Sequence, residues 1–196
     1  DHGVVTGLGR TVSVDFPVTS GAYMPPGPAE VFLAQLNPTG SKMVFSTRFG
    51  SDATIPASLA AAQDGGWVIG GDTLSRTFPI TQGVFDPQPP LIGPKVFLAK
   101  FDKVGSNLLF STFFGSASGV GSTRLPRLRV TPEGSIAFVG RGFPLDLIVT
   151  KNSLWPDWNQ TYPSPWPTPG VDVGFFAIAN PDCSKLIYST ILGHRS

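Results

Sequence analysis

Residues that could perform acid–base or nucleophilic chemistry are few in this chain. Its two histidines, His2 and His194, each lie within three residues of an end, and chain ends are usually the least ordered parts of a domain. A Ser-His-Asp site needs a histidine that is held rigidly beside its partners. The most conspicuous nucleophile candidates are the Ser-Thr pairs that begin at Ser46, Ser111 and Ser189. Because three related segments share the pair, we predict that it forms hydrogen bonds within each segment and that the protein is not an enzyme.

Cofactor and metal chemistry have equally little support. The sequence contains no Asp-x-Asp-x-Asp-Gly calcium loop and no Gly-x-x-x-x-Gly-Lys-Ser/Thr phosphate loop. Cys183 is the single cysteine, so no internal disulfide and no cysteine metal cluster can form. It occupies the place that Gly40 and Gly105 take in two related segments, which favours a turn position over a reactive thiol. We predict no cofactor and no bound metal.

A Trp- and Pro-rich segment from Asn152 to Gly170 is the main candidate for a binding site. The residues expected to contact a partner or a glycan are Trp155, Trp158, Tyr162 and Trp166. Tryptophan and tyrosine dominate the hot spots of protein interfaces, and they also stack on sugars. The alternative is that the segment folds its own aromatic side chains over the neighbouring sheet.

The composition indicates an all-β protein with many tight turns. Charged residues make up only 14% of the 196 residues, whereas Gly occurs 23 times, Pro 20 times and hydrophobic residues reach 41%. Short apolar runs separated by turn formers are typical of such a fold. A formal net charge of +1 argues against a nucleic-acid partner. No apolar run reaches about eighteen residues, so no membrane span is predicted.

One unit recurs three times along the chain. A segment of the type Val-Phe-Leu-Ala, turn, Phe-Ser-Thr begins at Val31 and at Val96, and a more divergent copy begins at Gly174. The Ser-Thr pair advances by 65 residues and then by 78, so the third unit contains an insertion. Each copy predicts a strand, a tight turn and a second strand, because alternating apolar residues flank turn formers.

A second hairpin precedes this one in each unit. Its clearest copies are Ser58–Gly71 and Arg127–Gly140, while Asp1–Gly7 matches only the later half. The sequence therefore predicts eleven strands, with the first strand of the first unit missing. The predicted blades are an incomplete first blade at 1–50, a second blade at 51–116, and a third blade at 117–196 with the Trp/Pro-rich insertion at 152–170.

Each unit also carries a Phe-Pro pair after its second strand, at Phe16, Phe78 and Phe143. In the first two units a Thr-x-Gly-x-aromatic sequence follows and ends at Tyr23 or Phe85, and the third unit lacks it. We predict ordered loops whose aromatic rings fill the space between neighbouring sheets.

In this order, the motifs Asp-x-Gly-x-x-Val-x-Gly, Phe-Pro-x-Thr-x-Gly-x-Phe, Val-Phe-Leu-Ala-Lys-Phe and Gly-Ser-x-Leu-x-Phe-Ser-Thr resemble the SBBP-type bacterial β-propeller repeat. Residues 64–71, 78–85 and 96–115 carry the resemblance best. It implies propeller blades in a large, exported bacterial protein with many tandem repeats, which lies in the periplasm, at the cell surface or outside the cell. The resemblance implies a fold and a compartment more than an activity.

These observations predict an all-β fold, a partial β-propeller of about three four-stranded antiparallel blades. A closed ring generally has about four to eight blades, so we expect a fragment of a larger ring or a ring that other chains complete. The leading functional hypothesis is a non-enzymatic extracytoplasmic scaffold that mediates protein–protein interaction as an accessory subunit of a larger assembly. Its partners would be other protein subunits or further repeats of the same protein. The alternatives are a carbohydrate-binding, lectin-like module that uses the Trp/Pro-rich loop and, less favoured, a hydrolytic enzyme.

Overall fold

The computed structural model describes residues 3–25, 27, 29–115, 123–156 and 172–192. These residues form eleven β-strands: β1 (Val5–Arg10), β2 (Val31–Leu36), β3 (Met43–Phe49), β4 (Thr54–Ala61), β5 (Trp67–Thr73), β6 (Lys95–Phe101), β7 (Leu108–Phe114), β8 (Thr123–Val130), β9 (Ile136–Gly142), β10 (Val173–Ala179) and β11 (Leu186–Leu192). A short 3₁₀ helix spans Pro144–Asp146. The described residues contain no helix that is long and apolar enough to cross a membrane.

The strands form three antiparallel sheets that follow the order of the chain. The first sheet has the order β1-β2-β3, the second β4-β5-β6-β7 and the third β8-β9-β10-β11. β4 lies against both β1 and β8, so the sheets approach each other closely at their first strands, as propeller blades do. The predicted all-β, propeller-like fold is confirmed, and the predicted number of strands equals the number in the described residues.

The cross-strand register shows that β1, β5 and β9 are equivalent. Each of them has a glycine opposite a phenylalanine of the next strand, in the pairs Gly9–Phe32, Gly71–Phe97 and Gly140–Phe175. Among the described residues, the first sheet therefore has no counterpart of β4 and β8. β1 is an edge strand in consequence, and its side chains are more exposed than those of β5.

Glycine is needed at this position in the second and third sheets because a bulged strand passes close to it. A β-carbon on Gly71 would lie 2.1 Å from the Ile55 carbonyl oxygen, and one on Gly140 would lie 2.1 Å from the Arg124 carbonyl oxygen. In both sheets the register of the first strand shifts by one residue beside this contact. A repeated bulge of this kind bends the strand at the same place in each unit.

Two apolar cores hold the three sheets together. One includes Leu33 and Phe49 of the first sheet with Phe97 and Phe113 of the second. The other joins the second and third sheets, with Leu98, Phe114, Phe138 and Phe175 among its buried members. Because successive residues of a strand point to opposite faces, β6 contributes to both cores. The second sheet is therefore covered on both faces.

Candidate interaction surface

One of the four aromatic residues predicted to make contacts lies in the described part of the chain. Trp155 follows the loop after the 3₁₀ helix, and 46% of its surface is exposed. Trp158, Tyr162 and Trp166 lie outside the described residues. The contact of these four residues with a partner or a glycan therefore stays a prediction. The structure defines the contacts of the loop that leads to Trp155.

A threonine fixes the equivalent loop in each sheet. The Thr81 amide donates to the Ser111 carbonyl oxygen over 3.2 Å, and the Ser111 amide donates to Thr81 Oγ1 over 2.9 Å. The same two bonds recur in the pairs Thr19–Ser46 and Thr150–Ser189. The serine of every Ser-Thr pair is thus bonded through its backbone to a loop, whereas the buried Ser111 and Ser189 hydroxyls make no hydrogen bond to a described residue.

The third unit contains this loop, although its sequence did not show it. The Thr-x-Gly-x-aromatic sequence is absent after Phe143-Pro144, yet Thr150 makes the bonds that Thr81 makes. The 3₁₀ helix at Pro144–Asp146 lengthens the connection ahead of it. The loops then differ at two positions: Asn152 replaces Gly21 and Gly83, which have φ of 77°, and Leu154 replaces the aromatic residue of the other two units.

Four residues after the threonine, each loop places an apolar residue, and we call these the anchor residues: Tyr23, Phe85 and Leu154. The Tyr23 amide donates to the Gly105 carbonyl oxygen of the second sheet over 2.9 Å. The Phe85 amide donates to the Cys183 carbonyl oxygen of the third sheet, also over 2.9 Å. The Tyr23 and Phe101 ring centroids are 5.6 Å apart. Tyr23 and Phe85 therefore each join one sheet to the next, as the sequence predicted for these aromatic loops.

The bonds from the anchor residues end at one position in the turns β2–β3, β6–β7 and β10–β11, which we call the acceptor turns. Gly40, Gly105 and Cys183 occupy this position with φ of 69°, 68° and 52°. The turn position predicted for Cys183 is confirmed. Gly105 and Cys183 are buried, whereas Gly40 is exposed. Burial raises the pKa of the Cys183 thiol, which makes this side chain an apolar contact and a poor nucleophile.

The forward face of a sheet, the face toward the next sheet along the chain, is apolar in all three units. In the first two sheets it includes residues that are at most 4% exposed, namely Leu33, Phe45, Phe49, Leu98, Phe110 and Phe114. The register places Phe176, Tyr188 and Leu192 at the equivalent positions of the third sheet. Leu192 is 43% exposed there, and Phe176 and Tyr188 are half-buried with their ring centroids 6.1 Å apart.

The rear face, toward the preceding sheet, is recessed on the first sheet. Gly7 and Arg48 stand where the second sheet has Ile69 and Phe113. Gly7 is exposed, and a β-carbon there would meet no other atom within 4 Å. The Arg48 Nε donates to the Ala29 carbonyl oxygen over 2.9 Å, which holds that side chain in place. This rear face therefore differs from that of the second sheet in two ways, by the recess at Gly7 and by a charged side chain, Arg48, in place of Phe113.

A cleft of about 510 Å³ lies where the second and third sheets meet, and charged residues line it. Arg124 and Arg141 are directly opposite each other on β8 and β9, and like charges in that arrangement repel. Asp72 Oδ2 lies 3.4 Å from Arg124 Nη1, and Asp72 Oδ1 accepts a 2.7 Å bond from the Leu125 amide. Asp172 Oδ2 lies 3.8 Å from Arg141 Nε. Burial raises the pKa of Asp72, although the Leu125 amide and Arg124 act in the opposite direction. The charges pair with one another and connect β5 to β8.

A buried ion pair fixes the chain directly after Phe85. Lys95 Nζ lies 2.9 Å from Asp86 Oδ2 and donates to the Gln88 carbonyl oxygen over 2.8 Å. The Asp86 carbonyl oxygen accepts a 2.9 Å bond from the Phe113 amide. Burial raises the pKa of Asp86, while the charge of Lys95 lowers it. Because loss of either partner would leave an uncompensated buried charge, the pair stabilises the loop that presents Phe85.

Within the described ranges, no group of three or more His, Cys, Asp and Glu side chains is placed to hold a metal ion. No protein-family model matches the chain, and a search of curated proteins gives no match.

Proposed function

We propose that the chain is a non-enzymatic β-propeller scaffold outside the bacterial cytoplasm, whose role is to bind other protein chains. The observation that carries the proposal is the forward face of the third sheet. Phe176, Tyr188 and Leu192 are partly exposed there, at positions that are buried in both other sheets. Apolar side chains exposed together on one face of a protein are typical of an interaction site, and we call these three residues the apolar patch.

The patch lies on a rigid support. The Phe114 ring centroid is 5.1 Å from that of Phe138 and 4.9 Å from that of Phe175, so the rear face of the third sheet packs firmly on the second. The Asp72 bond to the Leu125 amide adds a polar connection between the same two sheets. A binding surface on packed strands keeps its shape better than one on a loop, which suits a scaffold.

The extracytoplasmic location rests on the sequence resemblance to exported bacterial propeller repeats. The carbohydrate-binding alternative depends on Trp158, Tyr162 and Trp166, which lie outside the described residues. Trp155 is compatible with either a protein or a glycan partner. The exposed apolar sheet face favours a protein, because sugars are bound by polar groups together with isolated aromatic rings.

The proposal is tested by affinity capture with three forms of the purified chain. We expect the wild-type chain to retain specific proteins from extracts of the source cells and Tyr188→Asp to lose them, because a charge would be buried at the patch. Ile92→Asp is the matched control, since Ile92 is 70% exposed and belongs to the loop between β5 and β6 of the second sheet. Thermal unfolding verifies that all three forms are folded. Identical capture by the wild type and Tyr188→Asp would contradict the proposal.

A further inference from the structure

We propose that Lys95 and Asp86 condense spontaneously into an intramolecular amide, so that an isopeptide bond links the loop after Phe85 to the start of β6. This modification does not depend on what the apolar patch binds. It follows from the geometry of one buried ion pair, which occurs in the second unit and is absent from the equivalent positions of the other two.

The two reacting groups are in direct contact and out of water. Lys95 Nζ lies 3.1 Å from Asp86 Oδ1 and 2.9 Å from Asp86 Oδ2, so the nitrogen is beside the carboxyl carbon. Lys95 is 2% exposed and Asp86 is 7% exposed. The Phe113 ring centroid is 5.4 Å from Nζ and gives the nitrogen an apolar neighbour. A nucleophile that is held against its electrophile reacts faster, because the encounter costs no further entropy.

Hydrogen bonds of the backbone hold both residues in this contact. The Asp86 carbonyl oxygen accepts a 2.9 Å bond from the Phe113 amide, and the Asp86 amide donates to Thr112 Oγ1 over 3.3 Å. Lys95 is the first residue of β6 and lies opposite Thr73 of β5. Asp86 is thus fixed to β7 and Lys95 to β5, so the contact between their side chains is a property of the folded sheet.

The surroundings distinguish the two carboxyl oxygens. The Gln88 amide donates to Asp86 Oδ1 over 3.2 Å, and the Gln88 carbonyl oxygen accepts a 2.8 Å bond from Lys95 Nζ. Asp86 Oδ2 accepts no hydrogen bond from a described residue. A fixed donor at Oδ1 stabilises the negative charge that an attacked carboxyl group develops. Oδ1 is therefore placed to become the amide oxygen, and Oδ2 to leave.

The condensation is balanced within the pair. Burial raises the pKa of Asp86, although the charge of Lys95 opposes it, and burial disfavours charged groups in general. One proton passes from the Lys95 ammonium to the carboxylate, which gives an amine and a carboxylic acid. The amine lone pair forms the Nζ–Cγ bond, the Cγ–Oδ2 bond breaks, and Oδ2 leaves as water with two protons from Nζ. Nothing is oxidised or reduced.

The product removes a cost that the ion pair carries. Two charges taken out of water lose hydration free energy, and their mutual attraction does not always compensate for this loss. The amide is neutral, and its water is released to the solvent. It also closes a covalent loop between residues nine positions apart, in a chain whose single cysteine cannot form an internal disulfide.

The other two units show that the repeat does not need this pair. The equivalent positions are Met24 and Glu30 in the first unit, and Trp155 and Val173 in the third. The threonine bonds of the loop are nevertheless the same in all three units. The pair is therefore a special feature of the second unit, beyond what the fold of the loop requires.

The intact mass of the folded chain tests the proposal. We expect the wild type to be lighter than the mass of its sequence by one water. Lys95→Arg keeps the positive charge, but its guanidinium stays protonated and is not a nucleophile, so this variant should have the full mass. Lys100→Arg is the matched control. Lys100 Nζ lies 2.6 Å from Asp64 Oδ2, but the Asp64 side chain is 55% exposed, so this variant should lack one water as the wild type does.

Tryptic peptides of the wild type locate the bond without any variant. An amide at Nζ removes the charge that trypsin recognises, so cleavage after Lys95 should be lost. One peptide covering residues 77–100 should then appear, lighter by one water, and its fragmentation should show residues 86 and 95 joined.

Three results would overturn the proposal. The first is a folded wild type that keeps the full mass of its sequence and is cleaved after Lys95. The second is a lost water that maps to Asp64-Gly65, where an Asp-Gly sequence closes to a succinimide that hydroxylamine cleaves. The third is a Lys95→Arg chain that still loses a water from residues 77–100.

Discussion

The second and third sheets are built from the same unit, but their forward faces differ in how much of their apolar surface is exposed to solvent. On the second sheet, Leu98 and Phe114 are fully buried under the third. On the third sheet, the equivalent Phe176 and Leu192 are partly exposed and still apolar. The repeat therefore keeps its apolar pattern where no described part of the chain covers it. This difference is the observation on which the proposed contact surface rests.

The loops show the same contrast. The Phe85 amide reaches across to the third sheet, whereas the Leu154 amide makes no such bond to a described residue. Thr81 and Thr150 are nevertheless bonded identically to their own sheets. The bonds of the threonine are thus common to both sheets, and the loops diverge after it, where Gly83 has a φ of 77° and Asn152 has no positive φ.

The largest expected difference in folding stability is between substitutions on the two forward faces. Phe114→Ala should destabilise the folded chain by about 3–5 kcal/mol, because it empties a fully buried site. Leu192→Ala, at the equivalent position of the third sheet, should cost about 1 kcal/mol or less in the monomer. Guanidinium denaturation at low protein concentration measures both free energies. Equal losses would show that the third sheet is covered as completely as the second.

A smaller difference in folding stability is expected between glycine substitutions in two of the acceptor turns, at Gly105 and at Gly40. Gly105→Ala and Gly40→Ala both force alanine into a left-handed conformation, at a cost of about 1–2 kcal/mol. A β-carbon on Gly105 would also lie 2.9 Å from Phe45 Cδ2, whereas one on Gly40 meets no other atom within 4 Å. We therefore expect Gly105→Ala to lose about 1–3 kcal/mol more than Gly40→Ala in thermal or chemical unfolding. A difference near zero would mean that the Gly105 turn is not tightly docked.

The smallest effect concerns acid stability at the same turns. Burial alone would raise the pKa of Asp102, but hydrogen bonds from Ser106 and Asn107 outweigh it and hold the pKa at about 2. Because this lies below the ordinary value of 3.8, ionised Asp102 stabilises the fold above that value, and the stabilisation is lost as the pH falls from 3.8 toward 2. Asn37 and Asn180 fill this position in the other two turns.

Asp102→Asn should therefore keep the turn and flatten the loss of stability in this acidic range. Unfolding free energies measured for the wild type and the variant between neutral and acidic pH provide the comparison. Parallel curves for the two proteins would exclude the hydrogen bonds of Asp102 as a source of the acid sensitivity.

Local sequence features predicted much of the fold. Alternating apolar residues and repeated turns indicated all the strands, and the alignment of Cys183 with Gly40 and Gly105 indicated its turn position. Leu128 is buried between the exposed Arg127 and Arg129, which is the alternation typical of a half-buried strand. These features depend on short-range periodicity, which a single sequence contains.

Features that depend on long-range geometry could not be predicted in this way. The 3₁₀ helix at Pro144–Asp146 places Thr150 farther from Phe143 than the motif of the other two units allows, so the motif did not show that Thr150 is equivalent to Thr81. A search for a threonine after an apolar residue, with variable spacing from Phe143, could have found it. The bond of Asp72 to Leu125 joins residues 53 positions apart, and no local pattern reports such a contact.

The most direct test of the account is amide hydrogen exchange at the anchor residues Phe85 and Leu154, followed by nuclear magnetic resonance with the chain free and bound to a protein that it captures through the apolar patch. The Phe85 amide, bonded to the Cys183 carbonyl oxygen within the chain, should be protected in both states. The Leu154 amide should exchange quickly in the free chain and become protected in the complex. A Leu154 amide that exchanges equally fast in both states, beside a protected Phe85 amide, would contradict the account.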